Sequence, residues 1–447
     1  MTEFDPCADK TYAMRLADLG ENKEVIASED ILNDQGALLV KKGARINQQM
    51  SDRIIRFKLL KPIESSIDIT NSLSPQELYR CLIQDLTARP ELLQIHTGLG
   101  LERDFKRHSL NLSRFPILRQ KLTVMREQMP RLFQQTLCVC WLTLAIMKQL
   151  ELGEDEQEEG FMAALAHDIG MMHIDPTVLD KQEQLTSMEW RQIQAHTVIG
   201  QKVLESIPQL NKRVARIVLE HHERCDGTGY PLGKFAEQLT IESQIIALCD
   251  SVYMVLSKPL NGNGRRLRDL LPFIQVNSES HFYRTYTGLV RVIKMARLDD
   301  TCHIEHHNID EAVLLLEQRN DELGKQLQAL ELIVSNISEE NNHKLLQSSA
   351  TILMQISKIV RGSGILDPGY LRWLQQVRQD KLDFAYRETA DAVLMLEEIE
   401  WHLKRIVKIL NQFLEHGPDT ELQIKQLIRE TLPQPEPQVK LEDYAIS

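Results

Sequence analysis

The stretch His221-His222-Glu223-Arg224-Cys225-Asp226-Gly227-Thr228-Gly229-Tyr230-Pro231 decides how this chain is read. Two adjacent imidazoles offer two neutral nitrogen ligands to one metal cluster. A glycine-rich turn follows at once, and a proline of fixed φ holds its tyrosine. Working outward, His167-Asp168 follows the small apolar run Ala164-Leu165-Ala166 and precedes Ile169-Gly170. His196 lies between the two groups, and Asp250 closes the apolar run Ile245-Ile246-Ala247-Leu248-Cys249. The donors are imidazole and carboxylate, with no thiolate required. Such a set suits Fe, Mn, Ni or Zn, and it suits hydrolysis of a phosphate ester by metal-activated water.

These residues fall on helix ends. Phe161 to Ala166 reads as a buried helix stopping near Gly170, which puts His167 and Asp168 at its end. Thr186 with Glu189 forms a capping signature for the helix expected to carry His196. Val214, Ile217 and Val218 make the apolar face of a helix ending at His221 and His222, and Ile241 to Leu248 delivers Asp250. Four helices aimed at one point are how helical bundles build metal centres.

Taken together, His167-Asp168-Ile169-Gly170, His196, His221-His222-Glu223, the Asp226–Pro231 turn and Asp250 resemble, in order and spacing, the HD-GYP phosphodiesterases. These are a branch of the HD metal phosphohydrolases that cleave the bacterial messenger cyclic di-GMP. The resemblance runs from about Met129 to about Lys258. It implies two divalent transition-metal ions and a catalytic Asp168 bridging them. His167, Asp168 and Asp250 would hold one ion, and His196, His221 and His222 the other. It also assigns Gly229, Tyr230 and Pro231 to recognition of substrate or of cyclic di-GMP-synthesising or other signalling proteins. Tyr230 is therefore expected to stand exposed at the mouth of the cleft. Glu223 and Asp226 are read either as part of the site or as groups that orient the ligands and cap the turn.

The chain departs from the pattern at several places. Gln135 occupies the slot of a further family histidine, and an amide carbonyl is a weaker ligand than imidazole. Arg131 stands where members with a third metal carry Glu, so two ions are expected. Met171 replaces the lysine that usually follows His-Asp-Ile-Gly. After Asp250 the basic stretch survives as Lys258-Pro259 with Arg265 and Arg266, either of which is read as a phosphate contact or as a solvated loop. The function implied is metal-dependent hydrolysis of cyclic di-GMP to the linear dinucleotide or GMP. The alternatives are a weak or silent domain that senses cyclic di-GMP or serves as a scaffold, and a hydrolase of another phosphate ester.

Composition bounds the rest. The 447 residues are 43% hydrophobic and 26% charged, ordinary for globular domains. The net charge of -12 argues against nucleic-acid binding, so an anionic dinucleotide needs local positive charge from metals and a few Lys or Arg. The apolar run Leu137–Met147 is too short to span a bilayer, and Met1–Asp5 carries no signal pattern, so a cytoplasmic protein without a membrane partner is expected. Seven scattered cysteines read as reduced thiols.

The fold class expected is mainly α: an HD-type helical bundle core, a small N-terminal α+β module and a C-terminal helical or coiled-coil region. The bounds are 1–72 for the module, 73–124 for a helical connector, 125–290 for the core, 291–432 for the C-terminal helices and 433–447 for a disordered tail. In the module, residues 25–28 and 37–40 are expected to pair as a hairpin across Asn33-Asp34-Gln35-Gly36. Heptads at 309–337, with Asn320 at an a position, fit either a parallel homodimer or a bundle with the later helices. Cys302, His303, His306 and His307 read as a polar helix start rather than a zinc site.

Overall fold

The computed structural model describes residues 4–432, except 88, 182–184, 258, 261–262, 265, 278–282, 297, 299–301, 303, 305–306, 338–342 and 419–420, and excluding the side chains of 259–260 and 263–264. Arg265, His303, His306 and the tail 433–447 thus lie outside the described residues.

The N-terminal module opens with α1 (Lys10–Asn22), capped by the Asp9 carboxylate on Thr11 and Tyr12 N–H. Its strands are β1 (Val25–Ala27), β2 (Ile31–Leu32), β3 (Leu38–Val40) and β4 (Ile67–Ile69), with α2 (Gln48–Ile54) between the last two. The turn at 33–36 forms: Asn33 Oδ1 accepts from Gln35 N and Ala37 N, and Gly36 takes φ +83. The hairpin it closes is β2–β3, however, whereas β1 pairs antiparallel with β4. This corrects the expected pairing of 25–28 with 37–40. The burial pattern explains the choice, because Val25 and Ala27 face inward opposite Ile69 and Ile67, which also face inward.

Helices then dominate. They are α3 (Pro75–Thr87), α4 (Pro90–Gly98), α5 (Leu101–Asn111), α6 (Pro116–Gln128), α7 (Pro130–Gln149), α8 (Glu154–Ala166), α9 (Pro176–Leu179), α10 (Ser187–Gln194), α11 (His196–Glu205), α12 (Lys212–Glu220), α13 (Ile241–Ser257), α14 (Leu270–Asn277) and α15 (Tyr283–Lys294). Helix α7 is the axle. Thr136 to Met147 is buried without a break, and α8, α13 and α15 pack around it. The apolar run is thus a core helix, and among the described residues no helix is long and apolar enough to cross a membrane. One hydrophobic cluster runs from Tyr12 to Ala296, so the module shares its core with the helices.

A polar seam ties the module to the bundle. Lys121 Nζ, fully buried, donates to His173 Nε2 at 3.1 Å and pairs with Glu64 Oε1 at 3.1 Å. His173 Nδ1 donates to Asp9, and the Lys121 ammonium sits 3.3 Å from the Tyr12 ring centroid.

The C-terminal helices α16 (Ile309–Ser335), α17 (Lys344–Ser363), α18 (Pro368–Asp380), α19 (Tyr386–His416) and α20 (Leu422–Thr431) build a second hydrophobic cluster. The heptad residues Val313, Leu316, Asn320, Leu323, Leu327 and Leu330 are buried there against α17, α18, α19 and α20. Asn320 donates to the Ile365 carbonyl. Of the two readings left open for 309–337, the bundle is the one found, and the homodimer seam is covered by the chain itself. Tethered helices reach this face at a higher effective concentration than a second chain does. Near the helix end Ile333 is buried while Val334 is only half-buried, so the stripe leaves the strict heptad.

Removing the cation of the polar seam should be costly. Lys121→Ala leaves Glu64 and Asp9 buried without their cation, and a stability loss of about 3–5 kcal/mol is expected in urea unfolding. A loss below about 1 kcal/mol, the scale of an exposed pair, would show that the seam does not hold the module.

Candidate metal centre

The centre is made at helix C-termini, where backbone carbonyls lack intrahelical partners. His167 follows α8 and its Nδ1–H donates to Ala164 O at 2.8 Å. His221 follows α12 and donates to Val218 O at 2.6 Å. His196 donates to Ile193 O at 2.6 Å, in the last turn of α10. The capping pair Thr186 and Glu189 therefore starts α10, while His196 is the first residue of the next helix, α11. A carbonyl only accepts, so each bond fixes the proton on Nδ1 and turns the Nε2 lone pair inward.

Those lone pairs converge on Asp168. His167 Nε2 lies 3.2 Å from Asp168 Oδ2, while His196 and His221 Nε2 lie 3.3 and 3.7 Å from Oδ1. Ligand atoms of Asp168, His196, His221 and His222 all fall within 4.8 Å of one another. His167, His196 and His221 are fully buried, Asp168 and Asp250 are nearly so, and His222 is half-buried. Gln135 joins the group from α7, its Nε2 donating to Asp250 Oδ1 at 2.6 Å. Met171, half-buried against the core, brings no charge.

The electrostatics suit a cation. Burial pulls the His167 imidazolium down, but the neighbouring Asp168 carboxylate outweighs it and its pKa is raised to about 9. Burial pushes Asp168 up, yet His167 and the other imidazoles hold it well below its usual range. Burial lowers His196 to about 4, and burial with His221 beside it holds His222 well below 6.5, so both are neutral ligands. Burial raises the Asp250 carboxyl. Neither His167 Nε2 nor Asp168 Oδ1 has an aligned hydrogen-bond partner among the described residues. A buried carboxylate ringed by imidazole nitrogens, a place that a proton on His167 or a divalent ion can fill, fits a metal centre.

Two glycines allow the approach. A Cβ on Gly170 would fall 2.0 Å from His196 O, and one on Gly229 would fall 2.3 Å from Arg224 N. Gly229 is thus required by contact with the preceding stretch of loop, whereas Gly227 takes a positive φ of +74. Glu223 is no ligand: its carboxylate accepts from the N–H groups of Leu232, Gly233 and Lys234 and staples the loop. Tyr230, joined to Pro231 by a cis peptide, is half-buried rather than exposed. Its ring lies 4.8 Å from His222 at 24°, because the imidazole offers a flat surface to stack on.

Arg266 caps its own turn through Asp269 and is not among the residues lining the cavity beside His222 and Asp250. The positive charge comes from elsewhere. Arg405 of α19 donates to both oxygens of Asp226, at 3.1 and 2.8 Å, and Lys344 of α17 donates to Gly233 O at 2.6 Å. Trp401 and Glu398 of α19 line the cavity that also touches His221, His222 and Asp250. No motif marks these residues, since they sit between the packing positions of an ordinary amphipathic helix.

Comparison with known proteins agrees. Residues 119–285 match the family model described as HD domain. This region carries an HD domain. A cyclic di-GMP phosphodiesterase of Pseudomonas aeruginosa is 36% identical over 118 residues, 26% of this chain and 28% of that protein. A 3'3'-cGAMP-specific phosphodiesterase of Vibrio cholerae is 35% identical over 105 residues, 24% of this chain and 23% of that protein. A cyclic di-GMP phosphodiesterase of Borreliella burgdorferi is 26% identical over 227 residues, 50% of this chain and 58% of that protein. The chain thus spans from about a quarter to somewhat over half of the length of these relatives.

Two outcomes follow from this geometry. Gly170→Ala drives a methyl into the His196 carbonyl, so metal affinity should fall tenfold or more while helical circular dichroism is kept; unchanged affinity would mean that α11 yields freely. Separately, His167 at about 9 carries a proton at pH 7 until a cation takes Nε2. Metal loading at pH 7 should therefore release a proton, and affinity should weaken as pH drops below about 9. Calorimetric titration in buffers of different ionisation enthalpy reads the proton, and equal heats in all buffers would remove His167 from the ligand set.

Proposed function

We propose that this chain hydrolyses a cyclic dinucleotide, cyclic di-GMP in the first place, to the linear dinucleotide or GMP. The observation that carries the reading is the convergence of three Nδ1-anchored imidazoles on the buried Asp168 carboxylate. His167, Asp168 and Asp250 would hold one divalent ion, and His196, His221 and His222, beside Asp168, the second. Fe, Mn, Ni and Zn all suit this donor set. When bound, such ions neutralise a phosphodiester and activate water.

The protein's own groups prepare the site. The carbonyls of Ala164, Ile193 and Val218 hold the imidazoles in one tautomer and orientation. Gln135 orients Asp250 through its amide N–H in place of adding an imidazole. The Glu223 staple holds Gly229, Tyr230 and Pro231 beside His222, where they serve recognition. Names among the relatives include cyclic di-GMP and 3'3'-cGAMP phosphodiesterases, which supports a cyclic dinucleotide as the substrate class.

The test is metal content and turnover on one anaerobically purified sample. Asp168→Ala should lose most of its metal and all turnover while keeping its helix content. Gln135→His should raise turnover with the same substrate. Full metal loading without product from either cyclic di-GMP or 3'3'-cGAMP, together with saturable binding, would make the protein a sensor instead.

A further inference from the structure

Helix α19 lies outside the span matched to the HD domain, yet it forms a wall of the metal cavity. Trp401 is half-buried there, with the Arg224 guanidinium 5.2 Å and the Arg405 guanidinium 5.8 Å from its ring centroid. Two helical turns on from Trp401, Lys408 lies 5.4 Å from the ring of Trp190, which in turn packs edge-on to Tyr230 at 6.2 Å. A chain of net charge -12 has thus placed Arg224 and Trp401 on the cavity wall, with Arg405 against the same indole and Lys408 against that of Trp190. Arg405 spends Nη2 on Asp226.

We propose that α19 completes the substrate site, with Trp401 and Arg224 forming the surface on which the bases of a cyclic dinucleotide stack and Arg405, buried behind the indole, holding it in place. Bases stack on indole rings and on guanidinium planes alike, and cations beside them neutralise phosphate. The proposal rests on the cyclic dinucleotide reading above and adds the residues that select a nucleotide over a small diester. Trp401 is a specificity residue in this scheme, since a diester without bases gains nothing from the wall.

The experiment compares full-length, metal-loaded wild type, Trp401→Ala and Trp401→Phe on cyclic di-GMP and on bis(p-nitrophenyl) phosphate. Trp401→Ala should lower kcat/KM for cyclic di-GMP about tenfold more than for the small diester, mainly through KM, with metal per chain retained. Trp401→Phe should recover most of that loss. Equal losses on both substrates, or a cyclic di-GMP KM within twofold of wild type in Trp401→Ala, would overturn the wall. Wild type that cleaves the small diester but no cyclic dinucleotide would overturn the substrate reading itself.

Discussion

The centre depends on a buried carboxylate that has no cation of its own. Isolating Asp168 from water would be prohibitive, so the fold surrounds it with imidazoles whose proton positions are set from behind. Each setting uses a carbonyl that a helix end leaves spare, which lets one bond satisfy the helix and aim the ligand. The same arrangement makes proton and metal rivals for the site. His167 takes a proton because Asp168 is beside it, and a divalent ion replaces that proton with a larger charge. Metal binding and burial are therefore one problem with one solution, as in other proteins whose ligands converge in the interior.

The glycine-tyrosine-proline loop is held from two directions. Beneath it, Glu223 collects three N–H groups, a fixation that leaves this carboxylate no role as a ligand. Above it, Asp226 takes Arg405 and Thr228 on its carboxylate, and Ser348 reaches its carbonyl. A loop fixed this firmly presents Tyr230 without paying ordering entropy at the moment of binding. The C-terminal bundle is thus part of how the loop is shaped, and its attachment along α14 and α19 brings α19 to the metal cavity.

How much of this could be read from the chain follows the distance between partners. His167 and His221 stand where α8 and α12 stop, and apolar spacing marks both helices and their ends, whereas Asp250 lies inside α13 and is marked only by the apolar run before it. The helical core and the turn at 33–36 were legible for the same local reason. The pairing of β1 with β4 was not, since short inward-facing strands are interchangeable until the core chooses. The Arg405–Asp226 pair spans 179 residues and the His173–Asp9 pair 164, and neither leaves a periodic trace. The stripe of α16 reads identically whether a second chain or its own neighbours cover it. Tyr230 was misplaced because a tyrosine beside a histidine can either stand free or stack, and only the loop's closure decides.

Gln135 shows why a single departure need not dissolve such a site. A histidine there would add an inward lone pair. The amide presents a donor instead, and Asp250 accepts it. A carboxylate that accepts a hydrogen bond gives up some electron density to it, so Asp250 becomes a weaker but better-oriented ligand. On the proposed ligand set, the loss would fall on the ion that Asp250 helps to hold, and the donors His196, His221 and His222 would be untouched. The proposed centre would then have two unequal halves, with Gln135 bearing on the one that holds Asp250.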